Sequence, residues 1–107
     1  MKKIKCSDFE KEVIENEKKV VVLFTNNCNG SVIILGDSLS SLQKKWSQTF
    51  HFVELSNDEC RRIGEKYIVQ NVPTILIFDS GKVVDKISGL PSKKNIENVL
   101  QNINKTH

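Results

Sequence analysis

Cysteine is scarce in this chain: three in 107 residues, at positions 6, 28 and 60, an odd number without a Cys-x-x-Cys pair. That usage predicts neither a disulfide framework nor a zinc site. Long apolar runs are missing too. The most apolar stretch, 20–35, is broken by Thr25-Asn26-Asn27-Cys28-Asn29-Gly30-Ser31, which excludes a membrane-spanning helix. Behind the charged start Met1-Lys2-Lys3-Ile4-Lys5 there is no apolar segment of signal-peptide length, so a cytoplasmic location is expected, where isolated cysteines stay thiols. Charge of one sign is not in large excess. Sixteen Lys and Arg against 13 Asp and Glu leave +3, with bases and acids interleaved, so no nucleic-acid-binding stripe is expected. Repeats and linkers are absent, and the length fits a single domain over 1–107.

What is present is ordinary globular material, 38% hydrophobic and 27% charged, enough for a real core. Ile4 opens a short extended piece, and Ser7 with Glu10 matches a capping box ahead of a helix carrying Phe9, Val13 and Ile14 on one face. Val20-Val21-Val22-Leu23-Phe24 is an unbroken β-branched and aromatic run, as expected of a central strand buried on both faces. Leu35, Leu39, Leu42 and Trp46 form a helical stripe over 31–49, with a bend expected near Gly36. Phe50 to Leu55 reads as a strand. Asn57-Asp58 then supplies an N-cap for a short helix with Cys60, Ile63 and Tyr67 on one side. Pro73 begins the strand Thr74 to Phe78, and Asp79-Ser80-Gly81-Lys82 turns it into an antiparallel partner, Val83 to Ile87. A last helix shows Ile96, Val99, Leu100 and Ile103 on one face. The order β-α-β-α-β-α-β-β-α predicts an α/β fold: a mixed sheet with helices on both faces, in three layers.

The candidate for chemistry is Cys28. It stands in a polar loop between the most buried strand and a long helix, where unpaired N–H groups and the positive end of the helix dipole favour a thiolate over a thiol. No charged residue occurs from Val20 through Gly36, so the helix terminus acts alone there. Cys60, on its apolar stripe, and Cys6, at the end of the first strand, read as core packing. His51 and His107 read as solvated or capping residues, the lysine clusters as solvated faces. Val32 and Ile33 fit equally an apolar patch beside Cys28 or inward packing.

The element order, the loop cysteine at a helix start, Val72-Pro73-Thr74, the hairpin with Gly81 and Ser88-Gly89 before the last helix together resemble the thioredoxin family over nearly the whole chain. The resemblance implies a thioredoxin-like fold and thiol–disulfide exchange at Cys28, with no cofactor and no metal. It also implies a groove formed by Asn27, Asn29, Gly30, Val72, a cis Pro73, Thr74 and Gly89. In that groove the backbone of Val72 would pair with an extended substrate segment. The departures are informative. Cys28-Asn29-Gly30-Ser31 stands where the family has Cys-Gly-Pro-Cys, so the resolving cysteine is a serine and intramolecular release of a mixed disulfide is impossible there. Val22 occupies the place of a buried aspartate, and Asn27 that of a tryptophan. A monothiol site therefore follows, with the Ser31 hydroxyl beside the Cys28 thiolate and an external thiol completing the cycle. The expected partners are protein and low-molecular-weight thiols and disulfides, engaged by a monomer, with neither nucleic acid nor membrane involved. The alternative is a non-catalytic module that holds a partner's extended segment beside Pro73. A monothiol glutaredoxin shares the Cys-x-x-Ser spacing, but the Val-Pro-Thr context and the lack of a Gly-Gly pair after the hairpin count against it.

Overall fold

A computed structural model describes residues 1–26 and 30–106, the side chains of Gly30, Ser31, Val32 and Thr106 excepted. Its strands are β1 (Lys2–Lys3), β2 (Lys19–Thr25), β3 (Phe50–Ser56), β4 (Thr74–Asp79) and β5 (Lys82–Ser88), and its long helices are α1 (Gly30–Trp46) and α3 (Lys93–Thr106). A short α2 (Arg61–Lys66) lies between β3 and β4. The sheet order is β1-β3-β2-β4-β5. β1 and β2 each run parallel to β3, while β4 runs antiparallel to β2 and to β5. This is the expected mixed sheet with the Val20 to Phe24 run in its central strand.

That run alternates between two cores, as the two-residue period of a strand requires. Val20, Val22 and Phe24 face a cluster with Phe9, Val13, Leu55, Cys60, Ile63 and Phe78. Val21 and Leu23 face another, built with Leu35, Leu39 and Leu42 of α1 and Ile96, Leu100 and Ile103 of α3. All five residues of the run are fully buried, which is why the run tolerates no polar position and reads as continuously apolar. In the first cluster Phe9, Tyr67 and Phe78 meet edge-on or tilted, with ring centroids 5.2–5.8 Å apart.

Several local expectations are corrected. The first helix is a 3-10 turn, Cys6–Asp8, followed by a π-helical turn, Glu10–Ile14. Its reciprocal contact is made by Asp8, whose carboxylate accepts the Lys5 N–H at 3.0 Å, and not by Ser7 with Glu10. A segment this short lacks the length that makes an α-helix cooperative, so side-chain packing of Phe9 and Val13 sets its winding. α1 is continuous through Gly36, α2 starts after Cys60, and Cys60 itself is the N-cap residue. Trp46 closes the α1 stripe and packs partly buried against Phe50. His51 is not an isolated solvated residue: its Nε2 lies 3.3 Å from a Glu12 oxygen that also accepts from Lys2 at 2.7 Å.

The β4–β5 connection is a two-residue turn, Ser80 (φ 54°) and Gly81 (φ 81°). Both central residues are left-handed, the geometry whose twist matches that of the flanking strands.

Candidate functional site

The register of the central strands builds one end of the sheet. Phe24 lies opposite Thr74, Thr25 opposite Ser56, and Thr74 opposite Ser88. The chain therefore leaves β2 at Thr25 beside the point where Val72-Pro73-Thr74 enters β4. The Asn57 N–H donates to the Thr25 carbonyl at 2.7 Å, tying the loop after β3 to the same end. α1 opens at Gly30, two positions after Cys28.

Around Pro73 the expected groove residues are brought together in part. The Val72–Pro73 peptide is cis. The Gly89 N–H donates to the Pro73 carbonyl at 3.3 Å, and Gly89 takes φ +83°. Thr74 is buried, with its hydroxyl donating to the Asn71 carbonyl. Val72 packs partly buried against the first core cluster. Cys28, Asn27 and Asn29 lie outside the described residues, and so do the side chains of Gly30, Ser31 and Val32. Ile33, for which two placements were open, is exposed (69%), as are Ile34 (58%) and Leu90 (52%). The start of α1 and the segment after Gly89 thus present apolar surface to solvent.

Val22 confirms the apolar character of the layer beneath this end. It is fully buried between Val53 and Leu76 on the neighbouring strands, inside the first core cluster. Among the described residues, no three His, Cys, Asp or Glu side chains gather as a metal site, and no helix is long and apolar enough to cross a membrane.

The reading of Cys6 and Cys60 as separate packing thiols is overturned. They are joined as a disulfide, with Cα atoms 5.4 Å apart. Spacing could not show this, because the partners are separated by 54 positions. Strand order could. β1 is the parallel neighbour of β3 and in register at Lys3–Glu54, so the residues just beyond the two strands emerge at the same end of the sheet. Cys6 follows β1, and the Cys60 N–H donates to the carbonyl of Ser56, the last residue of β3, at 3.0 Å.

Comparison with known proteins agrees with this architecture. The thioredoxin family pattern matches residues 1–102. The chain is 31% identical over 98 residues to a thioredoxin of Staphylococcus epidermidis, covering 92% of each chain. It is 30% identical over 93 residues to one of Mycoplasmoides gallisepticum, covering 84% of this chain and 89% of that one. A thioredoxin of Chlorobaculum thiosulfatiphilum matches at 30% over 89 residues, 83% of this chain and 82% of the relative. With the mixed five-stranded sheet, the cis proline at the mouth of β4 and a match over nearly its full length, the chain belongs to the thioredoxin family.

Proposed function

We propose that the chain performs thiol–disulfide exchange through a mixed disulfide at Cys28, released by an external thiol because Ser31 replaces the resolving cysteine. Exchange as such is supported by the family to which the chain belongs. The observation that carries the reading is the register that puts the exit of β2 beside the Val72–Pro73 cis peptide, with α1 starting two positions after Cys28. A helix start favours the thiolate form of a nearby cysteine, and a thiolate is the attacking species in exchange. Serine accepts or donates hydrogen bonds but cannot displace sulfur from sulfur, so the adduct persists until a second molecule attacks it. In this reading the partners are protein and low-molecular-weight disulfides, and the chain acts as a cytoplasmic monomer. The exposed Ile33, Ile34 and Leu90 offer such a partner an apolar rim.

The test is adduct lifetime resolved by peptide mass spectrometry, which separates Cys28 from the other two cysteines. Reduced protein treated with a labelled peptide disulfide is expected to hold the label at Cys28 until a thiol such as glutathione is added. Ser31→Cys is expected to expel it unaided. A Cys28 that gains no label, or a label equally durable in Ser31→Cys, would count against the mechanism.

A further inference from the structure

A second sulfur pair sits outside the loop that carries Cys28. The two members of the Cys6–Cys60 pair differ sharply in surroundings. Cys60 is 2% exposed among Val13, Leu55 and Ile63 of the first core cluster, whereas Cys6 is only partly buried at the beginning of its turn. The Arg62 guanidinium donates to the Cys6 sulfur, Nη2 to Sγ 3.6 Å, from an otherwise exposed side chain. A solvent-borne reagent therefore meets Cys6 first, and meets it beside a cation.

The backbones that present these sulfurs are held without the S–S bond. The Ile4 N–H donates to the Glu54 carbonyl at 2.9 Å, which fixes the chain just ahead of Cys6. Cys60 is fixed through its N–H on Ser56, and its carbonyl accepts from Gly64 at 3.3 Å. Opening the bond leaves both anchors in place, so the two thiols stay within reach of each other.

We propose that Cys6 and Cys60 form a redox-active dithiol, Cys6 attacking and Cys60 resolving, whose substrate is a low-molecular-weight disulfide of the glutathione class. In the first step the Cys6 thiolate attacks one sulfur of the substrate. A bond forms from Cys6 to that sulfur, the substrate S–S bond breaks, and one thiolate leaves. In the second step the Cys60 thiol gives its proton to solvent and attacks the Cys6 sulfur, so that the Cys6–Cys60 bond forms and the second substrate thiolate leaves. Two electrons pass from the dithiol to the disulfide, and two thiols are released for each pair oxidised. An excess of low-molecular-weight thiol returns the pair by the reverse steps. The Arg62 guanidinium faces the charge that Cys6 carries in the attacking form. The pair thus supplies the two-thiol couple that Cys28-Asn29-Gly30-Ser31 lacks, and it does so independently of Cys28.

The test uses the full chain carrying Cys28→Ser, reduced with dithiothreitol, desalted under anaerobic conditions and mixed with glutathione disulfide. Acid quenching, alkylation and peptide mapping are expected to find the Cys6–Cys60 bond re-formed with two glutathione thiols released per chain. Far-UV circular dichroism should stay unchanged between the two forms. With Cys60→Ala added, one glutathione should remain trapped on Cys6; with Cys6→Ser instead, Cys60 should stay a free thiol. Arg62→Gln should slow adduct formation at Cys6 about threefold, the scale of one exposed charge contact. If Cys60→Ala does not fold, rapid quenching of the Cys28→Ser chain should still catch glutathione on Cys6 before the ring closes. Resistance of the folded pair to dithiothreitol, thiols that persist in excess glutathione disulfide, or first attachment at Cys60 would each overturn the proposal. Because Cys28 is absent throughout, none of these outcomes bears on the reading of that residue.

Discussion

Restoring an acid at position 22 is the sharpest probe of the apolar layer under the site. Val22 has no exposed surface and lies between Val53 and Leu76, in a cluster of aliphatic and aromatic side chains with Cys60. An aspartate there cannot keep its charge without a partner, so it must fold protonated. Holding a carboxyl of ordinary pKa about 3.9 neutral at pH 7 costs about 4 kcal/mol, at about 1.4 kcal/mol per pH unit. The neutral acid adds roughly 1–3 kcal/mol for polar atoms left without hydrogen bonds. The sum approaches the whole stability of an ordinary domain, roughly 5–15 kcal/mol. The folded-state pKa is raised, so the penalty grows as pH climbs above the unfolded value. Val22→Asp should therefore be about 3 kcal/mol less destabilised at pH 5 than at pH 7. Urea unfolding at the two pH values measures this, with Val22→Asn as a non-titrating control whose cost should not change. A variant folded at pH 5 and unfolded at pH 7 is the same result in a stronger form. If Val22→Asp were as stable as the parent at pH 7, or equally destabilised at both, the layer would not be dry and the reasoning would fail.

Three further expectations concern the rest of the fold. The Glu12 carboxyl is held below its ordinary value, first by the Lys2 hydrogen bond and also by His51, against a smaller opposing effect of burial. Its contribution is thus fully present above the unfolded value near 4.5 and is lost as pH falls through the lower folded value; Glu12→Gln should cost less than about 1 kcal/mol at pH 7 and progressively less as pH is taken below 4.5 in thermal melts. Gly36→Ala should stabilise by about 0.5–1 kcal/mol, because a Cβ there meets open space within a helix. Gly81→Ala should instead destabilise by about 1–2 kcal/mol, since its φ of +81° is left-handed and the Cβ would press on Ile14 at 3.2 Å; denaturant titration separates the two signs.

The central strand was legible because burial on both faces leaves a local mark, five apolar residues in a row, and the helical stripes of α1 and α3 left marks of the same kind. Gly81 marked its turn for the same reason: the backbone angle it needs is a property of one residue. The early turns were misread because Ser7 and Glu10 match the capping-box pattern, whereas the contact actually made, Asp8 accepting from the Lys5 N–H, needs no capping hydroxyl and leaves no such mark, and a segment this short is wound by what Phe9 packs against. At the site, Val72, Pro73, Thr74 and Gly89 were recoverable through the family resemblance. Composition alone could not have joined residues that only the β2–β4 and β4–β5 registers bring together. The Cys6–Cys60 bond was missed because pairing depends on which strands are neighbours, and helical periodicity places Cys60 equally well on an apolar stripe.

The sheet order also governs how this chain behaves in concentrated solution. Its margins are β1, two residues long with both lysines exposed, and β5, which carries Lys82, Asp85 and Lys86 and faces a register irregularity at Ile77/Phe78 on β4. Short, charged and irregular edges resist the addition of a strand from another copy. A segment well suited to cross-β stacking is Val20 to Phe24, apolar, uncharged and free of proline, and it sits between β3 and β4 with both hydrogen-bonding sides occupied. Aggregation through this segment therefore has to wait for unfolding that releases β2, and its rate follows the fraction of unfolded chains. Substitutions that lower stability, Val22→Asp foremost, should speed fibril or amorphous deposition in proportion, even though the surface of the folded protein is unchanged.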